Sequence, residues 1–133
     1  MSEETVAIVR KGFEAFIESD FETWFALSSP SIKLYPRDDE PGAKPCYEGW
    51  EELLEYLGNW YSGWQDYIVE PVQFVDGGDW VIVDAMETGI AEQSGLRVEE
   101  SFAHAIRIED GKFVEWRMFG RLHEALKALG IED

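Results

Sequence analysis

The residue in this chain best suited to acid/base chemistry is His104. It lies in a stretch of strict alternation. Phe102, His104, Ile106 and Ile108 fall on one face, and Ser101, Ala103, Ala105 and Arg107 on the other. Histidine changes charge near neutral pH, so it can accept and return a proton. A carboxylate beside it would orient the ring and raise its basicity. Asp84 lies ten residues before Ser94 and His104 ten after it. A hairpin centred on Ser94 would set the two opposite each other, with Cβ atoms roughly 4.5–5.5 Å apart. A one-residue slip would move Asp84 to the other face. Three roles are open to His104: a hydrogen-bonded core residue, a polar contact lining a pocket, or an acid/base.

A second group of candidates is the run Arg37-Asp38-Asp39-Glu40, in a loop rich in proline and charge. Long loops of compact domains often form functional rims or lids. Arg37 could anchor an anionic substrate or pair with Asp38. Asp38 is a candidate base if the loop folds inward, and otherwise the run is a solvated rim. No metal site is expected. The two histidines, His104 and His123, have no zinc spacing, and Asp76 and Asp79 fit a turn better than a calcium loop. Cys46 is a lone thiol with no nearby histidine. There is no phosphate-cradling glycine loop, dinucleotide fingerprint or nucleophile elbow. The chemistry these residues could support is cofactor-free proton transfer on a hydrophobic small molecule.

The elements that must position these residues read in order. A first helix is expected over 2–19, with Val6, Val9, Phe13, Phe16 and Ile17 on one face. Asp20 caps a short second helix carrying Phe21, Trp24, Phe25 and Leu27. A short strand over 31–35 ends at Pro36. A third helix over 50–63 carries the stripe Trp50, Leu53, Leu54, Leu57, Trp60, Tyr61 and Trp64. Such a stripe is core or pocket wall. Strands follow over 68–75, with Pro71 marking an edge or bulge, and over 80–90. The hairpin from Leu96 to Phe119 turns at Glu109-Asp110-Gly111-Lys112, a strong hairpin signal. A closing helix from Arg121 stops at Gly130. The pattern is α+β: a cone-shaped, curved antiparallel sheet wrapped around three N-terminal helices, with a short C-terminal helix, enclosing an apolar cavity.

Length and composition agree. The 133 residues suit a single domain over 1–133. Aromatic residues make up 14%, with 6 Trp, which favours a ligand cavity. A net charge of -17 argues against nucleic acid or an anionic membrane as partner. One cysteine, no leader-like N-terminus and no membrane-length apolar run point to the cytoplasm.

The order of elements, with FEAFIESDFETWFAL, YPRDDEPGA, YEGWEEL, SFAHAIRIEDGKFVEW and RLHEALKALGI, resembles the SnoaL-like branch of the nuclear-transport-factor-2-like superfamily. The resemblance spans essentially the whole chain. It implies the cone fold, and a function among isomerases, polyketide cyclases, dehydratases, epoxide hydrolases and non-catalytic binders. The ketosteroid isomerase positions fall on Gly12, Tyr35 and His104. None carries that family's functional residue, so steroid isomerase activity is not expected, although Tyr35 and His104 stand where the family places polar chemistry. His104 matches the polyketide cyclase histidine, while the matching aspartate is not apparent. No epoxide hydrolase Asp-Arg-Asp arrangement can be placed.

The resulting expectation is a small-molecule-binding protein acting by acid/base catalysis, or else a non-catalytic ligand-binding or dimerisation module. His104, Asp84, Tyr35 and Asp38 are the candidate catalytic residues. Trp24, Arg37, Trp60, Trp64, Met86, Phe102, Trp116 and Phe119 are the candidate substrate contacts. A homodimer through the outer sheet face, where Ala103, Ala105 and Arg107 lie, is expected by the same resemblance.

Overall fold

The computed structural model describes residues 2–131. The elements are α1 (Ser2–Ile17), α2 (Phe21–Ala26), β1 (Ser28–Tyr35), β2 (Tyr47–Glu48), α3 (Gly49–Tyr61), β3 (Trp64–Asp76), β4 (Trp80–Ala91), β5 (Arg97–Glu109), β6 (Lys112–Phe119) and α4 (Leu122–Ala128). Six strands form one curved, unclosed sheet in the order β2-β1-β6-β5-β4-β3. The sheet is not wholly antiparallel as expected. β1 pairs with β6 in parallel, and every other pairing is antiparallel. No described helix is long and apolar enough to cross a membrane.

The inner face of the sheet follows from the period of two. Val81, Val83, Ala85, Glu87 and Gly89 of β4 share it with Phe102, His104 and Ile106 of β5. α1 packs onto this face through Val9 and Phe13, as its helical spacing requires. Phe13 sets its ring edge-on to His104 and to Phe74. Gly12 lets α1 approach closely, because a Cβ there would lie 2.6 Å from Cζ of the fully buried Phe113. Full burial of side chains such as Leu53, Ile106 and Phe113 stabilises by about 1.5–3 kcal/mol each.

α2 begins as expected at Asp20, whose carboxylate accepts from the Thr23 backbone N–H at 3.2 Å and from its hydroxyl at 2.7 Å. α3 buries Leu53 and Tyr56 inward, whereas Trp50 and Leu54 of the expected stripe face solvent. A second, smaller cluster lies on the outer face. There α4 covers Ala103, Ala105 and Ile82 with Ala125 and Leu126. The outer patch expected to serve sheet-to-sheet dimer packing is therefore occupied at its alanines by this helix.

Two irregularities shape the edge strand. Asp66, with φ 52°, makes a bulge in which Asp66 and Tyr67 stand against Gly89 alone. This turns Tyr67 to the inner face. Gly89 makes room for it, since a Cβ there would meet Tyr67 Cδ1 at 2.9 Å and Trp64 Cε3 at 3.0 Å. The second shift follows Pro71 and leaves Val72 outside the register, on the edge strand that the proline marked.

Candidate functional site

Between the inner face and the helices lies a cavity walled by Phe13, Phe16, Trp24, Leu34, Leu53, Leu57, Trp60, Val69, Phe102, Trp116 and Met118. Its polar lining is Arg37, Glu40, Tyr56, Tyr61, Tyr67, Glu87 and His104. About 70 Å³ is open to the centres of water-sized molecules, room for a handful of waters at roughly 10–15 Å³ each. A wider mouth of about 220 Å³ adjoins it, bounded by Arg37, Pro41, Trp60, Trp64, Tyr67, Glu87, Gly89, Val98, Glu100 and Phe102.

The deepest polar feature is a chain of four side chains. The indole N–H of Trp116 donates to Nδ1 of His104 at 3.0 Å. Nε2 of His104 lies 2.8 Å from Oε2 of Glu87. The Tyr67 hydroxyl donates to Oε1 of the same carboxylate. Indole nitrogen is a donor only, so Nδ1 must be an acceptor and carries no proton. His104 is therefore the neutral tautomer, donating from Nε2 to Glu87. Both are nearly buried, His104 at 6% and Glu87 at 7% exposure. With both nitrogens engaged, His104 fixes Glu87 and is not free to take a proton from a ligand.

A second carboxylate stands apart from this chain. Glu40 accepts from the Tyr56 hydroxyl at 2.8 Å, and Met118 Sδ lies 3.5 Å from the same hydroxyl. Burial pushes the Glu40 carboxyl above its ordinary value, against the opposing pull of the Tyr56 hydrogen bond and of Arg37. Arg37 stacks its guanidinium 4.4 Å from the Phe102 ring centre and pairs with Asp39 at 3.8 Å. Burial raises the Tyr56, Tyr61 and Tyr67 hydroxyls, helped by Glu40 for Tyr56 and by Glu87 for the other two. All three remain protonated donors at neutral pH.

The structure sorts the sequence-derived candidates by face. His104, Trp24, Arg37, Trp60, Phe102 and Trp116 line the cavity, and Trp64 lines its mouth. Asp84 does not pair with His104. The register sets Val83 opposite His104 and Asp84 opposite Ala103, which puts Asp84 on the outer face in a groove with Arg121 and His123. Met86, of the same parity as Asp84, also points outward, paired with Ser101. Phe119 lies opposite Ala103 and packs beneath α4, and Met118 takes the inward place beside His104. Tyr35 is on the outer side under the Arg117 guanidinium, 4.3 Å from its ring centre, while Leu34 lines the cavity. Asp38 is exposed, and Arg37 pairs with Asp39 in its stead.

Glu87, Tyr56 and Tyr67 were not singled out from sequence, and Glu40 stood only as the last residue of the candidate run 37–40, with no role of its own. Glu87 had a readable signal, since it follows Val81, Val83 and Ala85 on the face that alternation assigns to the core. Nothing in that run set Glu40 above Asp38, because an irregular loop has no period. Among the described residues, no group of three or more potential metal ligands converges.

A SnoaL-like domain model matches residues 9–116. No curated protein matches the chain in sequence. Among solved structures, a nuclear-transport-factor-2-like protein of unknown function from Burkholderia pseudomallei is similar at TM-score 0.79 and 21% identity, covering 96% of this chain and 97% of that one. TerC, co-crystallised with polyporic acid, is similar at TM-score 0.78 and 16% identity, covering 96% and 98%. A candidate SnoaL-like polyketide cyclase from Jannaschia sp. CCS1 is similar at TM-score 0.78 and 19% identity, covering 100% and 96%. At these identities the likeness is one of fold.

Proposed function

This chain belongs to the SnoaL-like domain family, and we propose that its cavity binds a hydrophobic small molecule and moves a proton on it, with Glu40 as the acid/base. The observation that carries this reading is the Glu40–Tyr56 pair at the wall of a largely apolar cavity. A carboxyl raised above its ordinary range by burial is better matched to proton transfer near neutral pH. Tyr56 occupies Oε1 and leaves Oε2 for the substrate. As a base, Oε2 takes a proton from a carbon next to a carbonyl. The electron pair moves to the carbonyl oxygen as an enolate, and the Glu40 carboxylic acid returns the proton to the same or another carbon. Tyr61 lines the cavity with its hydroxyl free of a protein hydrogen bond among the described residues, and it can donate to the enolate oxygen.

Glu87, held by His104 and Tyr67, is the fixed polar anchor. His104 is a positioning residue in this scheme. The solved structure of TerC with polyporic acid supports the reading that this fold can accommodate an organic small molecule. A non-catalytic binder is the second reading. It is favoured by the Glu87–His104–Trp116 chain, whose nitrogens and carboxylate oxygens already have partners.

The test uses 2-tetralone, an aromatic ketone with acidic α-protons, in deuterated buffer. Exchange of its α-protons above the buffer rate, lost in Glu40→Gln and kept in Asp38→Asn, is the expected result. Binding without exchange would leave the protein a binder. No binding would end both readings.

A further inference from the structure

The charge around Glu87 is unbalanced in a way the proton-transfer scheme does not use. Its carboxylate is 7% exposed, and its two hydrogen-bond donors are both uncharged. One is the Tyr67 hydroxyl. The other is His104, which the Trp116 N–H holds as the neutral tautomer. No lysine or arginine among the described residues pairs with Glu87. Arg37, the cation bordering the same space, is already paired with Asp39 and stacked on Phe102.

Directly across the β4–β5 ladder from Glu87 stands Glu100, also at the mouth. Like charges at opposed positions are normally avoided. A nearly buried carboxylate with no cationic partner, facing a second carboxylate, is a place where a bound cation gains most.

The walls beside it suit such a cation. Trp60, Trp64 and Tyr67, all bordering the mouth, pack into one aromatic cluster. Their ring centres are 5.7 Å apart for Trp60–Trp64, 5.9 Å for Trp60–Tyr67 and 5.6 Å for Trp64–Tyr67. The Trp60–Tyr67 contact is edge-on at 87°, so the edge of one ring covers the face of the other, and a cation would meet the cluster from the side that borders the mouth. Cations are attracted to the faces of Trp and Tyr, and aromatic cages beside carboxylates suit substituted ammonium groups. Gly89 and the Asp66 bulge build this corner by admitting the Tyr67 and Trp64 rings against the sheet. About 220 Å³ of open space adjoins this cluster.

We propose that the ligand of this cavity is an organic cation, its substituted ammonium seated at the mouth over the Trp60–Trp64–Tyr67 cluster and facing Glu87, with its apolar body in the inner cavity. This inference rests on the cavity being a ligand site, as proposed above, and adds the charge of the ligand. The net charge of -17 favours approach of a cation from solution.

The test is calorimetric titration of the full chain at neutral pH with benzyltrimethylammonium, its neutral analogue benzyl alcohol and the anion benzenesulfonate. The expected result is cation affinity at least tenfold above both others in the unaltered chain, falling about tenfold in Glu87→Gln and in Trp64→Leu, a larger fall than benzyl alcohol shows in either variant. Equal affinity for cation and neutral probe in the unaltered chain, or preference for the anion, would overturn the charge assignment while leaving the cavity a ligand site. No heat or fluorescence change with any of the three would overturn the cavity reading with it. Circular dichroism of the variants separates a lost contact from a lost fold, and the comparison in the unaltered chain needs no variant.

Discussion

Trp116 donates its indole N–H to Nδ1 of His104 at 3.0 Å, and this single bond decides what the histidine can do. It leaves the imidazole proton on Nε2, aimed at Glu87. The prediction is that long-range proton–nitrogen correlation at neutral pH shows His104 with a bare Nδ1 and a protonated Nε2. A ring protonated on Nδ1 would contradict the assignment. Trp116→Phe should cost about 1–3 kcal/mol from the unsatisfied nitrogen alone, in addition to the lost packing, measured by urea denaturation.

Glu40 supplies a pH dependence whose sign can be worked out. Burial is the largest influence on it and raises its proton affinity in the folded state. Between its ordinary value and the raised one, the folded chain binds more protons than the unfolded chain. Stability contributed by protonated Glu40 is thus complete below the ordinary carboxylate range and is lost as pH rises through the folded value. Glu40→Gln keeps an acceptor for Tyr56 and removes the titration. The melting temperature of the variant should fall less than that of the parent as pH is raised through this window. Parallel curves for the two proteins would refute the assignment.

Gly12 sets helix propensity against packing. In an exposed helix, glycine to alanine gains up to about 1 kcal/mol. Here the new methyl would lie 2.6 Å from Phe113 Cζ and 2.8 Å from Cε2, and the ring is fully buried. Overpacking of this kind costs about 1–3 kcal/mol, so Gly12→Ala should destabilise by a net loss of up to about 2 kcal/mol. A stabilised variant in urea denaturation would show that α1 sits farther from the sheet.

Gly89→Ala tests the corner that holds Tyr67. Its Cβ would meet the Tyr67 and Trp64 rings at 2.9 and 3.0 Å. The rings must move, and the Tyr67 bond to Glu87 should lengthen or break. The expected result is loss of roughly 1–3 kcal/mol of stability, with altered Trp emission. An unchanged emission spectrum and unfolding midpoint would mean the edge strand gives way without cost.

Residues on periodic elements were legible in the sequence, and those on irregular ones were not. Alternation through Phe102, His104 and Ile106 placed the histidine on the inner face. Helical spacing likewise placed Val9 and Phe13 in the core. The failure at Asp84 came from half a residue. The pairs Ile90–Arg97 and Val83–His104 centre the β4–β5 turn between Gln93 and Ser94, not on Ser94. That shift exchanges Val83 for Asp84 and sends Met86 outward with it. Phe119 was misplaced for a similar reason, since pairing of His104 with Met118 settles which neighbour faces inward. Tyr67 reaches the site only through a bulge, and Glu40 through an irregular loop, and neither has a period to read.

The ligand site we propose is the aromatic cavity with Glu40 and Glu87 in its wall. The most direct measurement is a crystal structure of the full chain soaked with 2-tetralone. The expected result is the rings of the ketone between Trp24, Trp60 and Phe102, with its α-carbon within about 3.5 Å of the Glu40 carboxylate, a near-attack distance. An inner cavity closed by its own side chains, with the ketone absent or bound in the outer groove beside Asp84 and α4, would contradict it.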